Sequence, residues 1–464
     1  VRNPSDRDTI RSHPTTSIAA EEATALAKQW HEIRDPVHVF IRLETPERKI
    51  LDSSFFQRLR HVHQLALTNL VYPAATHTRF EHSLGVMDLA SRVFDIVTSP
   101  DNLSHESVRG LVPKQGSHDL TYWRRAVRMA ALCHDLGHLP FSHAAEEKLL
   151  PEGWRHEHIT GEIIHEKGLA DIWKELHLDP VDVAKLAVGP KYWKGDPFSD
   201  LEAILCEIIQ GDALGVDRID YLLRDSLHAG VSYGRFDHYR LVETLRILPK
   251  EEGSDEPALG IEDGGIYSAE ALVLARYFMY SQLYFHPVRR IYDIHLQEFL
   301  VDWLPGGTFP VSPTELLPYS DVEVYSAIRR AADDPAAKGH DPASRIVHRK
   351  HFKLLYTRNP ADLVVNRDAA AAIYDAALQE FGPDSVRIDR YPGKGGSHHF
   401  PVLTRDGRIA SSLDLSPTLK TTPPFAVDYV FIRPDLLVKG QTWLAKCRQE
   451  IISHPGERKD EQAS

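Results

Sequence analysis

The stretch ALCHDLGHLPFSH, Ala131 to His143, sets three histidines and one aspartate among leucines, a cysteine and a phenylalanine. Imidazole nitrogen beside carboxylate oxygen is a donor set suited to a divalent transition metal. His134 and Asp135 are adjacent, and His138 follows His134 by four, so both histidines share a face if a helix runs through them. Pro140 argues that it does not run beyond Gly137. His143 then sits on a turn near the helix end, where an imidazole can serve as a general acid. A lone His-Asp dipeptide carries little weight, because a single histidine is more often a hydrogen-bonded structural residue. Two distant segments add weight. RFEHSLGV places His82 just before a helix, and VDRIDYLLRDSLHAG places Asp217, Asp220 and Asp225 on one amphipathic helix. Taken alone, these aspartates fit a solvated helix face. The combination H…HD…D on separate helices favours a shared site.

Several elements must bring these segments together. Helical spacing is expected after Ser17, through FFQRLRHVHQL, HSLGVMDLASRVFDIVTS and TYWRRAVRMAALCHDLGH, and near 158–167, 181–187, 200–213, 217–227, 238–247 and 268–303. DPVHVFIRLETPERKILDSS suggests a small β-element, and other strand signals are scarce before residue 300. Later come a helix near 321–333, RIVHRKHFKLLYT, an Ala-rich helix over 368–381, SVRIDRYP and FAVDYVFIRP, which together read as an α+β lobe. The expected class is mainly α: a helical bundle with a smaller C-terminal α+β lobe. The expected organisation is a polar segment and helix over 1–30, a core over 31–310, and the lobe over 311–464 with a flexible tail. The Gly-rich YPGKGGSHHFP lacks the ending of a phosphate-binding loop and is expected to be a mobile hairpin or loop.

Bulk properties narrow the classes. The 464 residues carry 54 Lys+Arg against 66 Asp+Glu, a formal net charge of -12. That argues against a broad nucleic-acid surface, so an anionic ligand must be met by local cations or a metal. Three cysteines, with no CxxC pair, fit a reducing cytoplasm. No apolar run reaches the roughly 18 residues of a membrane span, and the N-terminus lacks a signal-peptide stretch.

The motifs DPVHVFIRLE, LDSSFFQRLRHVHQLA, THTRFEHSLGV, LCHDLGHLPFSH, HE at 156–157 and VDRIDYLLRDSLHAG occur in the order found in the deoxynucleoside triphosphate triphosphohydrolases. These are HD-domain enzymes that include bacterial dGTPases and a vertebrate enzyme with an added sterile-alpha-motif domain. The chain resembles this family most specifically over about residues 33 to 300. The resemblance implies metal ligands at His82, His134, Asp135 and Asp217, holding Mn, Fe, Zn, Ni or Co, with Mg as a nucleotide counter-ion. It implies attack of water on the α-phosphorus of a dNTP, releasing the deoxynucleoside and inorganic triphosphate. His143 matches the catalytic histidine, Glu157 the acid that orients it, and His138 a histidine facing the α-phosphate. Arg79 and Arg218 resemble phosphate contacts, Tyr221 the ring under the deoxyribose, Gln64 and Asp225 contacts of the 3′-hydroxyl, and His286 a pocket histidine. The family's pocket arginine is Gln282 here, so phosphate binding would draw on another group such as Arg289 or Arg290.

Some members are activated by nucleotides bound between subunits. Asp52, Gln57 and Arg60 resemble the guanine-reading positions of that site, and Arg349 and Lys353 its phosphate contacts. The family's upstream lysine and valine are His31 and Glu32, and Glu32 would repel a triphosphate. The bland reading of these residues is a basic surface with a capping aspartate. The resemblance implies a homo-oligomer, a tetramer or hexamer. Two other functions compete: an HD phosphohydrolase for a nucleoside monophosphate or alarmone, and a nucleotide sensor without turnover.

Overall fold

The computed structural model describes residues 30–103, 105–393 and 399–453. The helix expected after Ser17, the C-terminal tail from 454, residues 394–398 of the Gly-rich stretch and the side chain of His143 lie outside the described residues. The first described element is an antiparallel hairpin, β1 (Trp30–Asp35) and β2 (Val39–Glu44). Helix α1 (Arg79–Val97) starts where Thr78 and Glu81 cap each other: the Thr78 hydroxyl and N–H both donate to the Glu81 carboxylate, at 2.6 and 3.0 Å. That cap places His82 on the first turn. Helix α2 (His118–Cys133) begins at Ser117, whose hydroxyl accepts the Leu120 N–H, and packs extensively on α1.

Helix α2 stops at Cys133, so His134 and Asp135 sit on a turn and not on a helix that reaches His138. The turn is closed by N–H donation from Leu136 to Cys133 and from His138 to Asp135. Gly137 explains the tightness: a Cβ there would lie 2.1 Å from the His156 carbonyl oxygen and 2.5 Å from the Thr160 nitrogen. His143 opens the next helix, α3 (His143–Leu149), which differs from the expected placement near the end of α2. Then follow α4 (His156–Ile164), α5 (Pro180–Val188), α6 (Asp200–Gln210) and α7 (Val216–Ala229). Helix α5 bridges α2 and α4, and α7 lies against α1. Gly230, at φ +72°, ends α7 in the left-handed conformation that glycine adopts without cost.

Two expectations fail beyond this bundle. The helix expected over 238–247 holds for His238–Glu243 and then gives way to strand β3 (Leu245–Pro249), paired antiparallel with β4 (Pro257–Glu262). All five β3 residues are buried, and so short an apolar run reads equally as helix or strand. The single helix over 268–303 is two, α8 (Ile266–Met279) and α9 (Pro287–Trp303), separated by a π-helical turn at Tyr280–Tyr284. Pro287 has no N–H to continue the ladder, and the His286 ring caps α9 by accepting from the Val288 N–H at 3.3 Å.

Helices α10 (Asp321–Asp333) and α11 (His340–Val347) follow and contribute Val324, Ile328 and Ile346 to the large core. Beyond residue 350 the main elements are β5 (Lys353–Thr357), α12 (Ala369–Phe381), β6 (Val386–Tyr391), β7 (Pro401–Leu403), β8 (Ile409–Ser411), β9 (Val427–Ile432) and α13 (Leu437–Ser453). They form the C-terminal α+β region around a three-stranded antiparallel sheet, ordered β5-β9-β6. Strand β9 is buried throughout. Its Val430 and Ile432 face the cluster with α12 and α13, while Tyr429 and Phe431 face Phe285, Ile291 and Phe352, the two-residue period of a strand covered on both sides. Strands β7 and β8 extend the β3-β4 hairpin, with β7 parallel to β4.

Gly137→Ala would force a methyl into a backbone that has no space for it. The expected loss is about 3 kcal/mol, the upper end for overpacking, and urea unfolding measures it.

Candidate metal and phosphate site

The turn after α2 meets the first turns of α1 and α7. His82 Nε2 lies 3.0 Å from Asp217 Oδ1 and 3.7 Å from Asp135 Oδ2. His134 Nε2 lies 3.3 Å from Asp135 Oδ1 and 3.6 Å from Asp217 Oδ1. Each imidazole is turned by its other nitrogen. His134 Nδ1 donates to the Ala131 carbonyl at 2.7 Å, and His82 Nδ1 donates to Asp220 Oδ2 at 2.7 Å. Ligand histidines are held in this way, with the outer N–H on a carbonyl or carboxylate and the inner lone pair free. His134 Nε2 is buried and makes no hydrogen bond among the described residues. This orphaned acceptor, the close grouping of His82, His134 and Asp135, and Asp217 at the mouth with 31% of its side chain exposed fit a divalent metal.

The electrostatics agree. Burial opposes charge on His82, but hydrogen bonds to Asp217 and Asp220 outweigh it and raise the imidazole to about 10. His134 is raised too, against burial, by Asp135 and Asp217. Burial would lift Asp135, yet Arg79, His134 and His138 hold it well below the usual carboxylate range. Asp217 is lowered against burial by the two histidines. A field that strengthens proton binding this much strengthens the binding of any cation placed there. His138 goes the other way: burial first, then Arg79 and His156, push it well below an ordinary histidine, so it stays neutral. Its ring stacks on His156 at 3.8 Å, and His156 is raised against burial by Glu146, whose Oε1 lies 2.7 Å from His156 Nδ1.

The other expected residues are distributed around this centre. Arg79 donates to Asp135 at 2.5 Å and to Ser142 Oγ at 2.8 Å. Glu157 Oε2 is 3.3 Å from His156 Nδ1. Arg218 bonds Asp212 at 2.6 Å and the Gly211 carbonyl at 3.0 Å. Asp225 is held by His77 at 2.6 Å and by the Tyr284 hydroxyl at 2.7 Å, and Tyr221 sets its ring edge-on to Tyr284. Asp220 and Asp225 are both buried, so the solvated-face reading of these aspartates is wrong. Gln64 Oε1 is buried without a partner among the described residues. His286 lies edge-on to Tyr72. Arg290 is clamped in two 2.7 Å bonds to Asp389, and Arg289 bonds Thr68 at 3.1 Å.

Farther away, Asp52 pairs with Arg48, and Arg60 bonds Gln57 at 2.9 Å with its guanidinium over Phe80. Glu32 is taken up by Arg42 at 3.0 Å. Arg349 reaches the Leu70 carbonyl at 3.2 Å, and Lys353 lies 3.2 Å from His351. Among the described residues no hydrogen bond or ion pair joins Asp52, Gln57 or Arg60 to Arg349 or Lys353.

Sequence reasoning did not single out His38, Asp35, Arg224, His77, Glu146, Ser142 or Asp321. Phe141 and Ser142, just before His143, have φ of +57° and +55°. Asp321 holds that turn by accepting the Phe141 N–H at 2.7 Å while its other oxygen accepts from His63. The one available signal was Asp220–Arg224, an i, i+4 charge pair flanked by Ile219, Leu222 and Leu223.

A helical bundle whose H…HD…D residues converge on a buried cluster fitted to a divalent metal defines the class of the HD-domain phosphohydrolases. Residues 79–208 match the HD domain and residues 236–373 the HD-associated region. The chain belongs to this family. It is 31% identical over 403 residues to an uncharacterized protein of Methanocaldococcus jannaschii, covering 84% of this chain and 76% of that one. It is 28% identical over 365 residues to the deoxynucleoside triphosphate triphosphohydrolase SAMHD1 of Gallus gallus, covering 70% of this chain and 56% of that protein. The crystal structure of a hypothetical protein from Aquifex aeolicus superposes with a TM-score of 0.73 at 32% identity, covering 89% of this chain and all of that one. The chain spans little more than half the length of the vertebrate relative. Among the described residues no helix is long and apolar enough to cross a membrane.

Asp135→Ala is expected to leave helical circular dichroism unchanged and to reduce bound transition metal to below about one tenth of the wild-type content by elemental analysis. Full metal content in the variant would remove Asp135 from the ligand set.

Proposed function

We propose that this protein hydrolyses a deoxynucleoside triphosphate to the deoxynucleoside and inorganic triphosphate. One observation carries the reading. Asp217, Tyr221 and Asp225 are spaced four apart on α7 and so form one row, about 12 Å long from the helical rise. The cation-binding cluster stands at one end of the row, an aromatic ring in the middle, and a buried, doubly held carboxylate at the other. A deoxynucleotide has the same order: phosphate, sugar, 3′-hydroxyl. Gln64, with an unsatisfied buried acceptor, suits the hydroxyl as donor, and Tyr221 would pack under the deoxyribose, where a 2′-hydroxyl would clash.

His82, His134, Asp135 and Asp217 would hold a divalent ion, which supplies Lewis acidity at the phosphoryl oxygen when bound. The remaining steps fall to the chain. Arg218 exchanges its exposed Asp212 partner for phosphate, a trade that favours the more highly charged ligand. Arg79 stays with Asp135 and adds positive potential beside the α-phosphate. His138, neutral, donates a hydrogen bond to the α-phosphate without adding charge. His143 protonates the leaving 5′-oxygen, oriented by Glu157. With Gln282 in the pocket and Arg289 and Arg290 engaged elsewhere, the triphosphate tail rests on Arg218 and on the nucleotide's own Mg.

Turnover of the four dNTPs, singly and mixed, with product identification tests this reading. Inorganic triphosphate is the expected product; orthophosphate or pyrophosphate would transfer the enzyme to another nucleotide substrate. His143→Ala should keep its metal and lose about 100-fold in kcat, the usual scale for a general acid. Loss of metal in that variant would make His143 a ligand instead.

A second nucleotide bound by Asp52, Gln57 and Arg60 of one subunit, with Arg349 and Lys353 beside it, completes the proposal. Arg349 is exposed, and pairing Glu32 with Arg42 moderates the repulsion that Glu32 would otherwise exert. Its triphosphate would bridge basic surfaces and favour the homo-oligomer, a coupling of about 1–3 kcal/mol. Arg349→Ala with Lys353→Ala should weaken nucleotide-driven activation and assembly, read by rate and sedimentation, and leave metal content unchanged. A wild type equally active and assembled without a second nucleotide would make the enzyme constitutive.

A further inference from the structure

Asp220 stands outside the row on α7, and its surroundings are unusually complete. Its Oδ2 accepts from His82 Nδ1 at 2.7 Å, and its Oδ1 accepts from His38 Nε2 at 2.6 Å. Arg224 donates to both oxygens at 2.9 Å, and its third arm reaches Asp35 at 2.8 Å. The other oxygen of Asp35 accepts the backbone N–H groups of Val37 and His38, each at 2.8 Å. His82, Asp220, Arg224, Asp35 and His38 are all at most 4% exposed. The carboxylate sits close against α1, where a Cβ at Gly85 would lie 2.0 Å from Asp220 Oδ1.

The backbone that delivers His38 is strained. The Phe40 N–H bonds the His38 carbonyl at 2.9 Å across Val39, whose φ is +69°. This is a three-residue γ-turn centred on a β-branched residue, a conformation such residues rarely adopt. Strain of this kind persists where the surroundings over-determine it, and it clusters at functional sites. Here the surroundings are the anchored His38 and Asp35.

We infer that His38 is a positioning residue of the metal centre: through Asp220 the turn between β1 and β2 fixes the orientation and tautomer of His82 for a divalent cation. The chemistry is directional. His38 donates to one oxygen of Asp220, so the other is presented to the Nδ1–H of His82, and Nε2 is left facing Asp135 and Asp217, where it would give its lone pair to a metal. Without His38, Oδ1 keeps only Arg224, the carboxylate is free to turn toward that guanidinium, and His82 loses its fixed acceptor. Outer partners of this kind contribute about 10–100-fold to metal affinity. The inference rests on the metal reading of the cluster and is independent of the substrate.

The test is titration of the full, chelator-stripped protein with Co2+, whose visible absorption reports ligand geometry, and with Mn2+ by calorimetry. His38→Ala should weaken both Kd values by about 10–100-fold and alter the Co2+ spectrum. His38→Gln, whose amide nitrogen can still donate to Asp220, should restore most of the affinity. Val39→Gly, which relieves the turn, should raise Tm and leave affinity unchanged. If His38→Ala does not fold, His38→Asn, whose amide stops short of Asp220, takes its place with the same expectation. A folded variant lacking the His38 donor that binds Co2+ with the wild-type Kd and spectrum would overturn the inference and leave the network a structural tie. A wild type that binds no Co2+ would overturn the metal reading and this inference together.

Discussion

Everything near the site depends on how buried charge is balanced where α1, α2 and α7 meet. Three carboxylates, Asp135, Asp217 and Asp220, stand within hydrogen-bond reach of one histidine or a neighbouring arginine. An unpaired charge in such a place costs several kcal/mol. Arg79 serves Asp135, and Arg224 serves Asp220. Asp217, with the least cationic support from arginine and the most exposure, is shared between His82 and His134. Asp217 is thus the one of these three carboxylates without an arginine partner among the described residues, at the mouth of the cluster where a carboxylate can serve a metal.

The neighbouring elements follow from that balance. Gly85 and Gly137 occur where α1 and the turn after α2 must approach a carboxylate and a helix backbone more closely than any side chain permits. The HD-associated region is not an appendage: Asp321, on α10, pins the positive-φ pair Phe141–Ser142, and Ser142 in turn bonds Arg79, the partner of Asp135. A segment nearly two hundred residues away in the chain thus sets the entrance to α3. The same logic separates His138 from His156. The two rings stack, but burial and then Arg79 discourage charge on His138, while Glu146 favours it on His156 against burial.

The net charge of -12 belongs to the surface as a whole and says nothing of this local pattern. Arg79 and His138, both buried, and Arg218 set cationic and hydrogen-bonding side chains beside an acidic centre.

The sequence by itself determined the mainly helical class, the convergence of H…HD…D, and the C-terminal α+β character, because helical periodicity and metal-donor residue types are local properties. Pro140 argued against a helix beyond Gly137, but not that α2 would end as early as Cys133: Gly137 must press against α4, a contact no local pattern reveals. The β3-β4 hairpin and the break before α9 were missed for a related reason, since short apolar runs acquire their conformation from the sheet or core that covers them. Only the tertiary structure sorted the three aspartates of α7 into one at the metal cluster, one behind His82 and one beneath His77 and Tyr284. Their spacing along the chain is the same whichever way the helix is turned. What distinguishes them is which side chain, brought from 38, 77, 82 or 284, lies opposite, and that is decided by packing.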